Sequence, residues 1–471
     1  MLLKDSEQIK FLSSRYAESV PRYTSYPTAL ELKPCSDKSK IITELSSLQE
    51  PYSLYVHIPY CKTICAFCAC NRSVSTDPTR DKASYLKALE AEAVQLNKVL
   101  LHNPQLTSLH IGGGSPSFLT SAELKELDRI LHSNFNFQGI LKCEQSIELD
   151  PRTMTEEKAE LLSAQGYTRA SLGVQDFTPE VQKAIGRIQP YTMTKETVRY
   201  LRSAGFKSIN IDLIYGLPQQ KIEPFSINID QVLTLEPDRI ALYGYANVPW
   251  KATNQQRLKG YALPTPQERL QLFLMALQRF SEAGYEYIGL DHFALPNDSL
   301  VKARAENSLH RNFMGYSSIN TQHVLAIGSS AISNIHTILY QNFSDITEYK
   351  RAISTNTLPI NKVCFKDNDD ILRASLIEEI MCNDKISRGA FCKKAEKLIP
   401  SENTHRIAEE LFSETLQRLE RYQGDNLVQL QPDLIQITPI GRLFVRTLAS
   451  VVDRYLPQYK GTRGKVFSQG S

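Results

Sequence analysis

The chain has 471 residues, and its 54 Lys and Arg against 51 Asp and Glu give a formal net charge of +3 with neutral histidines. This near balance gives no sign of nucleic-acid or membrane-surface binding, and the length allows one large core or several domains. No apolar run approaches the roughly 18 residues of a membrane-spanning helix, and the first residues lack the apolar stretch of a secretory signal. We therefore expect a cytoplasmic protein with reduced cysteines that binds neither nucleic acid nor membrane.

Three cysteines follow the first predicted strand, residues 53–58. Cys61, Cys65 and Cys68 form a C-x3-C-x2-C motif. A 4Fe-4S cube has four corners, so three thiolates would bind it and leave one iron open to another ligand. A structural zinc ion usually takes four ligands in two separated pairs, and no second C-x2-C occurs in the sequence. A zinc-stabilised interaction or DNA-binding protein is the alternative interpretation from another class.

From these cysteines onward, short apolar segments alternate with helical patterns. Predicted strands are 53–58, 106–111, 146–149, 170–174, 208–213 and 239–243. Between the first two, apolar residues recur at steps of three and four, which predicts one buried helix face; these residues are Leu86, Leu89, Ala93, Leu96 and Leu100. Further helices are predicted at 121–132, 155–165, 191–204, 224–235 and 266–283. The alternation predicts a parallel sheet with right-handed crossovers, and its six regular repeats indicate a barrel.

Unusual residues follow the predicted strands at their carboxyl ends, where such barrels place active sites. Besides the cysteine loop they are Gly112-Gly113-Gly114-Ser115-Pro116, Glu148-Leu149-Asp150-Pro151, Gln175-Asp176 and Asp212. Each one alone can be a turn, a helix cap or a buried polar group. Together they suit a small zwitterion with a nucleoside, because glycines allow close backbone approach and carboxylates accept hydrogen bonds from ammonium and ribose hydroxyls. S-adenosylmethionine (SAM) is such a molecule, and its amino and carboxylate groups could bind the open iron.

Further motifs extend from about residue 20 to about residue 450. They are PRYTSYPTA (21–29), YVHIP (55–59), CACN (68–71), GVQDF (173–177), NIDLIYGLP (210–218), DHF (291–293) and HRNF (310–313). With the cysteine and glycine motifs, they resemble the radical SAM superfamily and, within it, the family of bacterial oxygen-independent coproporphyrinogen III oxidases. The resemblance implies an α/β fold, in which an incomplete parallel (β/α)6-type barrel carries a C-terminal, mostly helical, winged-helix-like domain.

The resemblance also implies cofactor-binding residues. Cys61, Cys65 and Cys68 would ligate the 4Fe-4S cluster. The family binds two SAM molecules, and the matching contact residues are Tyr55, Phe67, Gly113, Gly114, Ser115, Glu148, Gln175, Arg187, Asp212, Ala246 and Ile332. Three places depart from the family pattern: Ser115 stands where Thr is usual, Ala69 stands where Gly is usual, and Gly186-Arg187-Ile188-Gln189 matches an Asn-Arg-x-Gln pattern only loosely.

Tyr55 and Cys70 are the candidate catalytic residues. Cys70 resembles the family's fourth cysteine, which does not ligate the cluster and which related radical SAM haem chaperones typically lack. A haem chaperone or haem-binding protein on the same scaffold is therefore the alternative within the superfamily.

The activity implied by the resemblance is oxidative decarboxylation of two propionates of coproporphyrinogen III to vinyl groups. It gives protoporphyrinogen IX in anaerobic haem biosynthesis by hydrogen abstraction with a 5'-deoxyadenosyl radical. The propionates need cationic partners, and Arg22 and Arg311 are candidates because the guanidinium fork suits carboxylates; a solvated or ion-paired arginine is the alternative. An unidentified electron donor and acceptor are implied, and the resemblance favours a monomer.

The predicted domains are residues 1–50 as an N-terminal extension contributing to the substrate site, 51–355 as the catalytic barrel, 356–456 as a helical domain and 457–471 as a basic, mobile tail. Within 356–456, helices are predicted around 371–381 and 407–419, the second ending at Gly424. Strands 427–430 and 434–438 and a helix from Pro439 complete a winged-helix-like pattern. This segment lacks a concentrated basic face, so we expect it to enclose substrate rather than bind DNA.

Overall fold

The structure, a computed structural model, describes residues 6–138, 142–319, 322–459 and 461. The helices in this part of the chain are α1 (Ser6–Arg15), α2 (Ser39–Ser47), α3 (Pro78–Val99), α4 (Ser121–Asn134), α5 (Glu156–Ala164), α6 (Pro179–Ile185), α7 (Tyr191–Ser203), α8 (Ile222–Leu233), α9 (Pro266–Glu282), α10 (Ser299–Ala305), α11 (Ile346–Ser354), α12 (Asn368–Cys382), α13 (Arg388–Leu398), α14 (Thr404–Leu419), α15 (Pro439–Leu443) and α16 (Val445–Ala449). The strands are β1 (Lys33–Pro34), β2 (Tyr52–Ile58), β3 (Leu106–Gly113), β4 (Glu144–Leu149), β5 (Arg169–Gln175), β6 (Ser208–Tyr215), β7 (Arg239–Gly244), β8 (Glu286–Gly289), β9 (His292–Ala294), β10 (His310–Asn312), β11 (Gly315–Ser317), β12 (His323–Ile327), β13 (Ile332–Ile335), β14 (Ile338–Asn342), β15 (Ile360–Phe365), β16 (Lys385–Ser387), β17 (Val428–Gln431) and β18 (Leu434–Ile437).

The chain divides into two compact units. The barrel unit is Leu32–Ala276 and Thr321–Phe365, and the helical unit is made of the described residues of Met1–Glu31, Leu277–Asn320 and Lys366–Ser471. The roles predicted for segments 1–50, 51–355, 356–456 and 457–471 stay predictions. Of the predicted tail, Lys460 and residues 462–471 lie outside the described residues.

Strands β2 to β7 of the barrel unit are the six that the sequence predicts, and each is parallel to the next. The sheet continues beyond β2 in a way the sequence did not reveal: β12 is parallel to β2, and β13, β14, β15 and β1 follow antiparallel. Short turns join β12, β13 and β14. These turns force antiparallel pairing, because a parallel crossover needs a dozen or more residues. The sheet is therefore mixed rather than purely parallel.

Residues along β2 to β6 alternate between two environments. One set is apolar and almost fully buried, as at Leu54, Val56, Leu109 and Ile111. The other set carries the polar side chains, and the strand register places Tyr55 opposite His110 and then Ser146 on successive strands. Because alternate residues of a strand point to opposite faces, one face packs in the core and the other presents a polar layer.

The helical unit contains the winged-helix-like pattern. Its order is α12, β16, α13, α14, β17 and β18, and the three strands pair antiparallel in the order β16-β18-β17. The predicted end at Gly424 is wrong: α14 ends at Leu419 and a 3-10 turn, Glu420–Tyr422, follows. Asn426, with φ of 55°, takes the left-handed conformation there instead, which Asn tolerates better than most residues.

Across the described residues, no helix has both the length and the apolar character needed to cross a membrane.

Candidate active site

The cysteine loop lies between β2 and α3, at the carboxyl end of β2. Its backbone is tied down by hydrogen bonds from Cys61 N to Ser73 O at 3.0 Å and from Ala66 N to Ile185 O at 2.8 Å. Ala66 is buried in an apolar cluster with Val181, Ile185, Ile214, Leu217, Tyr245 and Leu258, against which Phe67 packs. The loop is therefore anchored by both packing and hydrogen bonds.

Two amide side chains of the 3-10 helix Thr253–Leu258 brace the same loop. The Asn254 amide donates to the carbonyl oxygens of Cys65, Ala66 and Cys68 at 3.0, 3.1 and 2.9 Å. The neighbouring Gln255 amide donates to Phe67 O at 2.7 Å and to Ala246 O at 3.0 Å. Together these bonds fix the backbone path on which the cysteines are spaced.

Arginine side chains surround Cys65. Arg152 and Arg187 approach its sulfur with guanidinium nitrogens at 3.8 and 3.6 Å. Asp150 lies between them, accepting from Arg152 Nη2 at 2.6 Å and from Arg187 Nη1 at 3.2 Å. Burial alone would raise the pKa of Asp150, but the two guanidinium groups lower it below its usual value. The Nε of Arg187 is buried without a hydrogen-bond partner among the described residues.

The hydrogen-bond donors around the cysteine sulfurs suit an iron–sulfur cluster. Burial raises the pKa of Cys61 to about 12, and the hydrogen bond from Cys70 lowers the pKa of Cys68 to about 6. Cationic N–H donors around thiolates fit an iron–sulfur cluster, which such hydrogen bonds tune.

The glycine-rich turn after β3 passes close to the cysteine loop. Gly113 has φ of 116°, and a Cβ there would lie 2.7 Å from the His57 ring. A Cβ on Gly114 would meet the backbone carbonyl of Pro59 at 2.8 Å. Gly114 N and Ser115 N donate to Ile58 O at 2.8 Å and to Tyr60 O at 2.9 Å. Only glycine allows this approach of two backbones.

A hydrogen-bonded network fills the polar face of β2, β3 and β4. His57 Nε2 bonds to Asn71 O at 2.9 Å and must donate, so its Nδ1 accepts from the Tyr55 hydroxyl at 3.1 Å. The Tyr55 ring stacks on His110 at 5.9 Å between centroids. His110 Nε2 lies 3.3 Å from Glu148, which also accepts from Gly113 N at 3.1 Å. Burial opposes ionisation of Glu148, but the His110 and Gly113 bonds outweigh it and lower its pKa.

Asp212 on β6 is the second carboxyl group of this layer. Ser171 Oγ donates to it at 2.9 Å and the Asn210 amide at 2.7 Å. Burial, followed by the charge of Glu148, raises the pKa of Asp212 to about 7. The pKa shifts of the two carboxyl groups therefore run in opposite directions, so Glu148 ionises more readily than Asp212.

The remaining predicted cofactor contacts lie at separate places in the barrel unit. Gln175 ends β5 at a bulge and has φ of 71°, a conformation that is uncommon outside glycine and marks local strain. Ser115 is buried, with its hydroxyl 3.2 Å from that of Ser117. Ala246 is exposed after β7, and its carbonyl accepts from the Gln255 amide at 3.0 Å. Ile332 begins β13.

The predicted substrate residues Arg22 and Arg311 belong to the helical unit. The pKa of the buried His292 is lowered to about 3. Burial is the largest cause, and the positive charges of Arg311 and Arg22 add to it. Arg22 forms an ion pair with Asp291. Arg311 stacks over the Tyr316 ring at 4.8 Å, and its Nε and Nη1 are buried without a hydrogen-bond partner among the described residues. The structure thus gathers two arginines around one neutral histidine.

Several side chains of the barrel site were not singled out from the sequence. His57 and His110 could have been found from the two-residue period, since His57 shares a strand face with Tyr55 and the next strand carries His110 at the matching height. Asp150 was placed at a strand end, but its bond to Arg152 was not predicted. Asn254 carries no sequence signal, because it acts through a turn far along the chain from the cysteines.

This combination of six parallel strands, a three-cysteine loop and a glycine turn defines a radical SAM protein, and the model of the Radical SAM superfamily matches residues 55–229. The oxygen-independent coproporphyrinogen III oxidase of Pseudomonas aeruginosa is 37% identical over 455 residues, which cover 96% of this chain and 97% of the relative. The Escherichia coli relative of the same name is 36% identical over 95% of each chain. The chain belongs to the family of oxygen-independent coproporphyrinogen III oxidases.

A solved structure gives the same result for the fold. Coproporphyrinogen III oxidase (HemN) from Escherichia coli, described as a radical SAM enzyme, matches with a TM-score of 0.85 and 34% identity over 92% of this chain and 97% of its own. The fold class predicted from the sequence is confirmed.

Proposed function

We propose that this protein is an oxygen-independent coproporphyrinogen III oxidase that converts two propionate side chains of coproporphyrinogen III to vinyl groups and yields protoporphyrinogen IX. The observation that carries the proposal is the reach of the similarity. Relatives of that name at 34–37% identity match nearly the whole chain, as in Pseudomonas aeruginosa and Synechocystis. Family membership brings SAM and a 4Fe-4S cluster as cofactors.

Cys61, Cys65 and Cys68 would ligate the cluster. When bound, the cluster and SAM would supply, with one electron from an external donor, the radical chemistry that removes hydrogen from a propionate β-carbon; loss of carbon dioxide and of one electron to an acceptor would then give the vinyl group. The protein holds the cysteine loop with Asn254 and places two guanidinium groups at Cys65. These donors stabilise negative charge on the sulfur and help to retain the cluster.

For SAM, we assign complementary tasks to the two carboxyl groups. Glu148, kept ionised by His110 and Gly113, suits the ammonium group, and Asp212, with its raised pKa, suits ribose hydroxyls. The glycine turn packs closely against His57 and Pro59, and the Gly113 N–H helps to hold the Glu148 carboxylate. The full set proposed to contact two SAM molecules is Tyr55, Phe67, Gly113, Gly114, Ser115, Glu148, Gln175, Arg187, Asp212, Ala246 and Ile332.

The substrate carboxylates would bind Arg22 and Arg311. Arg311 supports this role because two of its buried N–H donors lack partners among the described residues, and a buried unsatisfied donor is costly unless a ligand completes it. Tyr55 and Cys70 are proposed as catalytic residues; Tyr55 is held by His57, and Cys70 is exposed beside Cys68. One electron enters per SAM cleaved and one leaves per vinyl group, so a donor and an acceptor are required. We propose a monomer in the cytoplasm.

The test is anaerobic reconstitution of the cluster, followed by reductant, SAM and coproporphyrinogen III. We expect protoporphyrinogen IX, a transient monovinyl product and about two molecules of 5'-deoxyadenosine per product, because each propionate needs one radical. A Cys61→Ala variant is the control without a complete cluster. SAM cleavage without either porphyrin product would contradict the substrate assignment, and tight haem binding in that case would favour a chaperone. Equilibrium binding of SAM to the loaded protein tests the number of molecules.

A further inference from the structure

Three side chains that commonly bind metal ions lie together in the barrel unit, away from the cysteine loop. They are Glu50, which precedes β2, His323, the first residue of β12, and His336, in the turn between β13 and β14. One ligand atom from each lies within 4.8 Å of the other two. The register explains the cluster, because β12 pairs with β2 through His323 and Tyr52, so both strands begin at the same edge of the sheet.

The imidazole of the turn residue His336 has a ring nitrogen without a hydrogen bond to any residue that the structure describes. Its Nε2 is buried without a hydrogen-bond partner among the described residues and lies 3.7 Å from a Glu50 carboxylate oxygen. Its backbone has φ of 41°, a left-handed conformation that is uncommon outside glycine. A buried nitrogen without a hydrogen bond is costly, and a bound cation would satisfy this one.

The second imidazole faces the first. The rings of His323 and His336 lie 4.4 Å apart between centroids. The backbone N–H of His336 donates to His323 Nδ1 at 3.3 Å, so the lone pair of Nδ1 points toward His336. This hydrogen bond is longer than usual, so a metal ion would compete with it for the Nδ1 lone pair. The pKa of Glu50 is lowered from its usual value. Burial opposes this shift, hydrogen bonds from the backbone N–H groups of Glu50 and Gln49 produce it, and the charges of both histidines add to it.

We propose that Glu50, His323 and His336 form a binding site for a divalent cation of borderline softness, with Zn2+ as the probe. Two imidazoles and one carboxylate are a ligand set that zinc and similar ions prefer, with water completing the coordination. The three ligand atoms already lie within 4.8 Å of one another, and the Glu50 side chain is more than half exposed, so small side-chain movements would bring them to one ion.

This site is separate from the proposed catalytic function. Glu50 precedes β2 and the cysteine loop follows it, and the seven residues of the strand span roughly 23 Å at about 3.3 Å per residue. A bound ion would link the start of β2, the start of β12 and the β13–β14 turn at the amino-terminal edge of the strands. In barrels this edge serves stability rather than chemistry.

The test uses the anaerobically reconstituted holoenzyme. Wild-type protein and variants are incubated with Zn2+ and desalted, and zinc and iron are measured per chain. We expect about one zinc beyond the cluster iron in the wild type, as a three-ligand site with water implies. Glu50→Gln and His336→Asn should each weaken zinc binding by more than about 100-fold. Loss of a residue that only supports a ligand costs at most about 100-fold, so a larger loss indicates a direct ligand. Asn is chosen because it tolerates the left-handed backbone.

His405→Ala is the matched control. His405 contacts the carboxylates of Glu396 and Glu409 and belongs to no group of three close metal-binding side chains in the described part of the chain, so its loss should leave zinc binding unchanged. Zn2+ should also raise the melting temperature of the wild type and of the control but not of the two ligand variants, because only binding to the folded state stabilises it. Equal zinc retention in all four proteins, or none in the wild type, would overturn the site. The exposed Glu50→Gln change keeps the test decisive if His336→Asn fails to fold.

Discussion

The side-chain amide of Asn254 donates hydrogen bonds to three backbone carbonyls of the cysteine loop. Asn254→Ala removes all three contacts without touching a cysteine. Each net hydrogen bond is worth about 1 kcal/mol, and one amide has only two hydrogens, so the loop loses about 2 kcal/mol of restraint. That energy corresponds to about 30-fold in an equilibrium constant.

The assay measures how quickly the reconstituted cluster is lost to an iron chelator under anaerobic conditions, by its visible absorption. We expect Asn254→Ala to release iron up to about 30-fold faster than the wild type, if the full restraint acts on the intact loop. The isosteric Asn254→Asp should be no better, because a carboxylate cannot donate to carbonyls.

Asn136→Ala is the matched control, since this amide donates to one backbone carbonyl, Asn103 O at 3.0 Å, before β3 rather than after it. Its cluster should be as durable as that of the wild type. Wild-type iron release from a folded Asn254→Ala protein would refute the reasoning, because it would mean that packing around Ala66 alone holds the loop.

Three further predictions concern the remaining parts of the site. Gly113→Ala should abolish SAM binding and lower the melting temperature, because its Cβ would meet the His57 ring at 2.7 Å; Gly186→Ala, also at positive φ but with nothing within 4 Å, should cost only the backbone strain. The Asp212→Asn variant, loaded with the cluster but free of SAM, should gain stability relative to the wild type as pH rises from about 5 to about 8. The raised pKa of Asp212 in the folded state means that the folded wild type binds more protons than the unfolded chain in this range. The stability of the wild type therefore falls with pH, whereas the variant lacks this titration. Melting curves across this range check it, and a constant difference would contradict it. Arg311→Lys should raise the KM for coproporphyrinogen III while leaving SAM binding unchanged, because a lysine cannot form the bidentate contact; steady-state kinetics with both ligands varied provide the measurement, and an unchanged KM would exclude the proposed contact.

Much of the barrel could be predicted because its strands and helices have regular periods. Strands β2 to β7 begin and end within about two residues of the predicted bounds, since each carries apolar residues between recognisable turns. Strands β12 to β15 were not predicted, and for β12 the reason is physical. All five residues of β12 are buried, so it shows no alternation, and short buried strands cannot be distinguished from other apolar runs by period alone.

The sequence identified the site residues that follow strand ends, but it did not identify those whose position depends on contacts between distant segments. Glu148 and Asp212 were placed at one rim because parallel strands bring their carboxyl ends together. Their different pKa shifts could not be predicted, since these depend on His110 at one carboxyl group and on the depth of burial at the other. The bracing of the cysteine loop by Asn254 depends on tertiary structure, because the two segments are almost two hundred residues apart in sequence.

The register between strands determines the site as much as any motif does. Tyr55 lies opposite His110, and His57 lies opposite Gly112, so the polar side chains of neighbouring strands meet on one face. The residues between them, such as Val56, are buried on the other face. A slip of β2 by one residue would send Val56 into the polar layer and Tyr55 into the core. The buried apolar face therefore fixes the geometry in which the tyrosine, the histidines and Glu148 contact one another, and the stability of the sheet and the chemistry of the rim depend on the same alignment.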